Sequence, residues 1–184
     1  MYRSEYKNIE ISELVKGEYE QCSFEDCDFS GADLSHYHFV DCSFSDCNMS
    51  NVNVVGMSLK TVEFSNCKLL GVHFNNCNEF LLSFNFKNCQ LDFSSFYKLK
   101  IKGTHFLNCS LIEADFTEAD LTQASFENSY LEKAVFYRTK LFKSNFNMAE
   151  AYSIDPELNQ IKKAKFSWPG LTGLLNKYDI YIEN

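Results

Sequence analysis

Along most of this chain an apolar residue returns at every fifth position. The run begins Phe24, Phe29, Leu34, Phe39, Phe44, Met49, Val54, Leu59, Phe64, Leu69 and Phe74. It then shifts phase and continues as Leu91, Phe96, Ile101, Phe106, Leu111, Phe116, Leu121, Phe126, Leu131, Phe136, Leu141 and Phe146. With 45% of residues hydrophobic, a run of this length has odds of roughly 10⁻⁸, so the period is structural. Neither an α-helix, at 3.6 residues per turn, nor a plain strand, at two, keeps a five-residue stripe on one side. The chain must turn a corner every five residues. Two positions before each centre the side chain is usually small: Cys22, Cys27, Ala32, Cys42, Cys47, Cys67, Cys109, Ala114, Ala119, Ala124, Ala134 and Ala149. Each unit thus has two inward positions, and the residues between them, mostly Asn, Asp, Ser, Glu and Lys, face water.

These spacings resemble the pentapeptide-repeat family, with its Ala-Asp/Asn-Leu-x-x consensus. The stretch Ala114-Asp115-Phe116-Thr117-Glu118-Ala119-Asp120-Leu121 is a close match, and the resemblance covers about residues 20 to 150. It implies an all-β solenoid, a right-handed quadrilateral parallel β-helix, with four pentapeptides per coil and residues twenty apart stacked. At about 4.8 Å per coil, six to seven coils make a rod roughly 30 Å long. From residue 91 to 146 the centres nearly alternate between aliphatic and Phe, which sorts them by wall. Phe96, Phe116 and Phe136 fall on one wall, Phe106, Phe126 and Phe146 on the opposite one, and Leu91, Leu111, Leu131 and Ile101, Leu121, Leu141 on the other two.

Phe74 and Leu91 are separated by two residues more than three pentapeptides. Two six-residue units, 75–80 and 81–86, accommodate them as bulges. Tyr37 and Met57 fall in one column where small residues are usual, which predicts a locally wider interior. An open β-helix exposes strand edges at both ends, and such edges need covers. Residues 1–18 are predicted as an N-terminal cap, with Ile9-Glu10-Ile11 as a starting strand, residues 19–151 as the β-helix and residues 152–184 as a tail. In the tail, Asp155-Pro156 marks a turn, Ser167-Trp168-Pro169-Gly170 caps a short helix through Leu171, Leu174 and Leu175, and Ile180 and Ile182 belong to a final strand. Trp168, Leu171, Leu174, Leu175, Ile180 and Ile182 offer more apolar surface than a narrow rod end needs to hide. In several family members such a tail forms a two-fold dimer interface, so the resemblance implies a homodimer.

Charge narrows the partners. A net charge of −8 and a pI near 5.0 argue against direct binding to nucleic acid or an anionic membrane, both of which need a basic footprint. The N-terminus lacks the apolar stretch of a signal peptide, and no segment reaches the ~18 unbroken apolar residues of a membrane helix. A soluble cytoplasmic protein is expected. All eight cysteines are expected as buried free thiols in a reducing compartment. His36, His38, His73 and His105 are scattered over polar phases, and no nucleophile elbow, metal-binding helix motif or phosphate loop occurs, so neither enzymatic activity nor a cofactor or metal is expected.

The acidic residues are candidates for a binding surface. From Gly17 to Leu59 the chain has no Lys or Arg but holds Glu18, Glu20, Glu25, Asp26, Asp28, Asp33, Asp41 and Asp46. A second run includes Glu113, Asp115, Glu118 and Asp120. Asp26 is expected to stack over Asp46, and such like-charge repulsion costs stability. Lys98, Lys100 and Lys102, then Lys133, Arg138, Lys140 and Lys143, break this acidity into bands. The whole form is similar to the quinolone-resistance pentapeptide proteins of bacteria, members of which imitate duplex DNA and bind the basic DNA-binding saddle of type II topoisomerases. That resemblance implies a protein partner with a basic surface, DNA gyrase or topoisomerase IV. The alternative is a generic interaction scaffold with another partner. One continuous negative face, and a dimer, are the features that separate the two.

Overall fold

Corners set the architecture. In the computed structural model, which describes residues 1–181, the second residue after nearly every centre adopts a left-handed backbone conformation. Along one corner the φ values are 52° at Asp26, 55° at Asp46, 56° at Asn66, 55° at Asn88, 53° at Asn108 and 56° at Asn128. Asn and Asp tolerate this region better than other L-residues, and here they also bond to each other, Asn88 to Asn66 at 3.0 Å and Asn108 to Asn88 at 3.1 Å. Other corners carry Lys98, Glu113 and Arg138, which have no such preference. There the next coil helps hold the bend: the Lys98 N–H donates to the Thr117 carbonyl and the Glu113 N–H to Glu132, each at 2.9 Å.

Five residues per side and four sides per coil give a parallel β-solenoid. Wall A is a six-stranded ladder of Glu5–Lys7, Ser23–Glu25, Ser43–Ser45, Val62–Ser65, Phe84–Lys87 and Phe106–Leu107, and Asn145–Phe146 pairs with Lys165–Phe166 further down. Wall B follows each of these and is joined by single bridges, from Asp28 with Asn48 to Tyr130 with Glu150. Wall C is bridged likewise, from Asp33 with Asn53 to Asp115 with Val135. Wall D contains the three-stranded ladder Glu18–Glu20, His38–Val40 and Ser58–Lys60, and resumes as the column Lys100, Asp120, Lys140, Gln160.

The interior is filled with rings. On wall A, Tyr6, Phe24, Phe44, Phe64, Phe86, Phe106, Phe126, Phe146 and Phe166 form one unbroken stack, with successive centroids 4.6 to 5.4 Å apart. Phe74, Phe96, Phe116 and Phe136 stack on wall C at 5.0 to 5.1 Å. The two stacks meet across the core edge to face, Phe96 on Phe106 at 5.3 Å and Phe116 on Phe126 at 5.5 Å, a favoured aromatic geometry. Opposite walls for these two Phe series is the arrangement the sequence predicts. The wall A stack spans eight coil steps, about 40 Å at ~4.8 Å each, which exceeds the six to seven coils expected because both chain ends join the solenoid.

Small inward residues have a second task. Cys47 Sγ donates to the Phe24 carbonyl at 3.5 Å and Cys67 Sγ to Phe44 at 3.4 Å, one coil back. Ser94, Ser129 and Thr139 do the same with hydroxyls at 2.9 to 3.0 Å. Thiol and hydroxyl therefore serve one phase, each satisfying a buried carbonyl lone pair. All eight cysteines are free and buried. Burial pushes the Cys42 thiol up to about 11 and the Cys77 thiol up to about 12, so both stay neutral and unreactive near pH 7.

The register departs from twenty at two places. Phe64 pairs with Phe86, a step of twenty-two. The two extra residues do not form two even bulges. They are extruded as one turn on wall D, between the backbone bond of Asn78 to Met57 and that of Ser83 to Leu59. Phe84 then fills the small-residue phase and is buried. At the other departure Tyr6 pairs with Phe24, a step of eighteen. Residues 1–18 are thus a shortened first coil: Tyr2 bridges Glu20, and Glu10 bridges Asp28 before a 3₁₀ turn at Ile11–Glu13. Ile9-Glu10-Ile11 contributes that one bridge rather than a strand. Tyr37 and Met57 are buried as expected, the Tyr37 hydroxyl bonding the Leu14 carbonyl at 3.0 Å.

In the tail the expected helix is two 3₁₀ segments, Pro169–Leu174 and Asn176–Tyr178. They pack on the last coil so closely that a Cβ at Gly173 would clash with the Tyr152 carbonyl oxygen. Lys177 fixes the end, reaching Asp155 and Glu157 at 2.7 Å each. Residues 179–181 form no strand, and Ile182 lies outside the described residues.

Candidate interaction surface

The coil register decides which carboxylates share a wall. In the N-terminal coils Glu25, Asp26 and Asp46 belong to wall A and its corner, Asp28 to wall B, Asp33 to wall C, and Glu18, Glu20 and Asp41 to wall D. Asp26 and Asp46 occupy one column, as expected. The eight ring the rod rather than forming one continuous face. Residues 1–59 carry eleven Asp and Glu against three Lys and Arg, a balance of −8 equal to that of the whole chain. The remaining residues are neutral in sum.

Local partners favour the ionised form of two of these carboxylates. The Ser30 hydroxyl and N–H hold Asp28 below the usual carboxylate range, and the Ser35 N–H and hydroxyl do the same for Asp33. Lys7 screens one edge, 2.7 Å from Glu25 and 3.9 Å from Asp26. Further along, Glu113 lies on the wall B corner 3.6 Å from Lys133, and Glu118 on the wall C corner 3.6 Å from Lys98. Asp115 is part of wall C.

Asp120 departs from the expected acidic surface. It is 8% exposed and lies between Lys102 at 3.5 Å and Lys140 at 3.8 Å. Burial opposes its ionisation, yet the Thr122 hydroxyl and N–H and the two ammonium groups hold it below the usual range. It is an anchor for lysines, not a charge offered to a partner.

The tail residues divide. Leu171 and Leu174 are half-buried against their own chain, while Trp168 is 85% exposed and Ile180 55%. Leu175 and Tyr181 are exposed beside them. His36, His38, His73 and His105 are exposed and distributed along the rod. Among the described residues no group of three or more His, Cys, Asp and Glu is placed to hold a metal, and no helix is long and apolar enough to cross a membrane.

Sequence reasoning missed the exposed turn Glu79–Leu82, whose apolar residues had been assigned to bulges. It also missed that four of the lysines noted as bands, Lys100, Lys102, Lys140 and Lys143, gather on wall D with Lys162 and Lys163. The second signal was present in the spacing: Lys100 and Lys140, Lys102 and Lys162, and Lys143 and Lys163 are separated by multiples of twenty.

A filled parallel solenoid with charge segregated along its length defines a rod-shaped repeat protein whose chemistry lies on its outer surface. Family models described as "Pentapeptide repeat region" and "Pentapeptide repeats (8 copies)" match residues 18–96 and 109–147, and the chain belongs to the pentapeptide-repeat family. Among solved structures it is similar to a trypsin-treated variant of QnrB1, a plasmid-mediated fluoroquinolone resistance protein, with 16% identity, a TM-score of 0.65 and 99% of each chain covered. Full-length QnrB1 matches with 18% identity and a TM-score of 0.57, over 98% of this chain and 99% of that one. At this identity the likeness shows the fold. No curated protein matches the chain.

Proposed function

We propose that this protein is a non-catalytic binding rod whose acidic N-terminal coils imitate duplex DNA toward the basic DNA-binding surface of a type II topoisomerase, gyrase or topoisomerase IV, and so protect that enzyme from fluoroquinolones. The observation that carries this reading is the ring of eight carboxylates, uninterrupted by Lys or Arg from Gly17 to Leu59, around the N-terminal coils of the rod. The ring is not the single continuous negative face expected to separate mimicry from a generic scaffold; it supports mimicry through its likeness to duplex DNA, which also presents charge around its circumference. The correspondence with QnrB1 over 99% of both chains adds the matching outline. Binding is fast and salt-sensitive, since steering by opposite charge governs association.

The test is a gyrase supercoiling assay with and without ciprofloxacin, titrating the protein and its Asp26→Asn/Asp41→Asn/Asp46→Asn variant. Wild-type protein protects or inhibits gyrase, and the variant needs a several-fold higher concentration. All three side chains are exposed, so the variant keeps wild-type circular dichroism, with stability changed by no more than about 0.5 kcal/mol per site. No effect at micromolar protein transfers the assignment to an interaction scaffold for a different basic partner.

The exposed tail surface supports a two-fold dimer in which Trp168, Leu175 and Ile180 are covered by a second copy. Sedimentation velocity is expected to show a dimer that Trp168→Ser/Ile180→Ser converts to monomer. A monomeric wild-type protein at tens of micromolar assigns the tail to capping alone.

A further inference from the structure

The net charge of −8 conceals a strongly basic wall. Lys100, Lys102, Lys140, Lys143, Lys162 and Lys163, six of the chain's 17 Lys and Arg, all fall on wall D of the last four coils, and all are exposed. The register places them in three columns: Lys100 and Lys140 before the centres, Lys102 and Lys162 after them, Lys143 and Lys163 at the corner. The carboxylate on this stretch of wall is Asp120, sunk beneath Lys102 and Lys140. In these same coils Glu113, Asp115, Glu127 and Glu132 occupy the other three walls.

The wall also carries an apolar projection. The turn Glu79–Leu82 emerges between the coil of Ser58–Lys60 and the coil of Lys100 and Lys102, directly beside the lysine columns. At its tip Phe80 is 68% and Leu81 65% exposed. The Phe80 N–H is held by the Asn78 side chain at 2.9 Å, Leu81 sits at φ 58°, and the Lys60 ammonium lies 5.4 Å from the Phe80 ring centre. Among the described residues nothing else covers either side chain, and an apolar pair so exposed beside cations is a marked surface feature.

We infer that this half of wall D is a docking surface for an anionic membrane, with Phe80 and Leu81 entering the headgroup boundary and the lysines meeting acidic headgroups. Flatness favours a bilayer over nucleic acid. Side chains from one wall end near a common plane about 15 Å long, so a planar charged surface meets all six ammonium groups together. A convex duplex meets those along one line. Leu81 has no use for a base or phosphate but gains from leaving water at a bilayer interface, where a basic patch and apolar anchors act as two joint signals. On this same wall Glu79 stands at the turn, and Glu18, Glu20 and Asp41 lie on its far side in the first coils, so the contact is confined to the lysine half. The inference does not rest on the topoisomerase reading, because it uses the opposite end of the rod.

The experiment is co-sedimentation of the full chain with vesicles of phosphatidylcholine alone, or of phosphatidylcholine and phosphatidylglycerol in equal parts, across a salt series. The protein is expected to sediment with the phosphatidylglycerol vesicles only. Lys140→Gln/Lys143→Gln/Lys162→Gln/Lys163→Gln lowers the partition coefficient more than about 100-fold, at about fivefold per lysine. Phe80→Ser/Leu81→Ser lowers it at least about tenfold and leaves its salt dependence unchanged, since the lost apolar share is insensitive to salt and the lysines are intact. The altered side chains are exposed, and thermal melts monitored by circular dichroism verify that both variants fold. No sedimentation with phosphatidylglycerol vesicles, equal sedimentation with phosphatidylcholine, or indifference to the lysine changes each overturns the proposal. So does retention on a single-stranded or duplex oligonucleotide that exceeds vesicle binding, which assigns the wall to nucleic acid. Self-association abolished by the lysine changes overturns it as well, by assigning the wall to a contact between copies.

Discussion

Phe116→Ala lowers the free energy of unfolding by about 3 to 5 kcal/mol, the range for truncating a fully buried aromatic. The ring is 0% exposed and touches four others: Phe96 and Phe136 stacked at 5.0 and 5.1 Å, Phe106 and Phe126 edge-on at 5.6 and 5.5 Å. Neighbours in a solenoid cannot close the void easily, because each backbone rung is pinned by hydrogen bonds to the coils on either side, Phe116 N–H to the Val135 carbonyl at 2.9 Å among them. Each repeat contacts only its neighbours, so a void in the middle coil also weakens the coupling between the two ends. Urea denaturation is the measurement, and the expected signature is a lower midpoint with a broadened or two-step transition. Phe116→Leu keeps most of the volume and costs less than about 1.5 kcal/mol. A Phe116→Ala loss below about 1 kcal/mol would mean that the ring stack is not where the stability resides.

Alkaline pH produces the second large effect. Burial pushes Cys42 up to about 11 and Cys77 to about 12, and pushes the Tyr19 and Tyr152 hydroxyls to about 12. For an acid whose folded value is raised, the folded state keeps a proton that the unfolded chain has already released. The associated stability is complete below the unfolded value, near 9 for the thiols and 10 for the phenols, and falls as pH climbs toward the folded value. At about 1.4 kcal/mol per unit, Cys42 and Cys77 together remove about 7 kcal/mol across that window, a large part of an ordinary domain's total. Urea midpoints are therefore constant near pH 8 and fall steeply above pH 9, with the native circular dichroism lost by about pH 11. Cys42→Ala/Cys77→Ala flattens the slope while costing some stability at pH 8. A midpoint unchanged between pH 8 and pH 10.5 would rule out this account.

Much of the fold was legible because it follows from two local facts. A centre such as Phe96 or Leu111 and a small residue such as Ala114 can both be inside only if the chain bends between pentapeptides, and each bend is made by residues within that unit. The tail was partly legible: Trp168 and Leu171 do lead into a helical segment, but Pro169 and two glycines leave it as tight 3₁₀ turns packed on Tyr152. The candidate surface was legible as composition only. Carboxylates from Glu18 to Asp46 were visible as a run, whereas their arrangement as a ring, and the sinking of Asp120 between lysines, depend on which residues lie one coil away.

That difference has a single physical origin. The alternation of inward and outward residues, the filled core, the corner every five residues and the buried state of all eight cysteines are determined by the sequence itself, since each depends on neighbours within one pentapeptide. Column membership was decided by the tertiary structure, because it accumulates every register step along the chain. The step of twenty-two between Phe64 and Phe86 joins Cys67 to Cys89 in what reads along the chain as two separate cysteine columns. It sets Phe80 and Leu81 outside on wall D, and places them beside lysines that follow twenty and more residues later. Two extra residues are a small local event, but in a solenoid they move every later side chain relative to every earlier one.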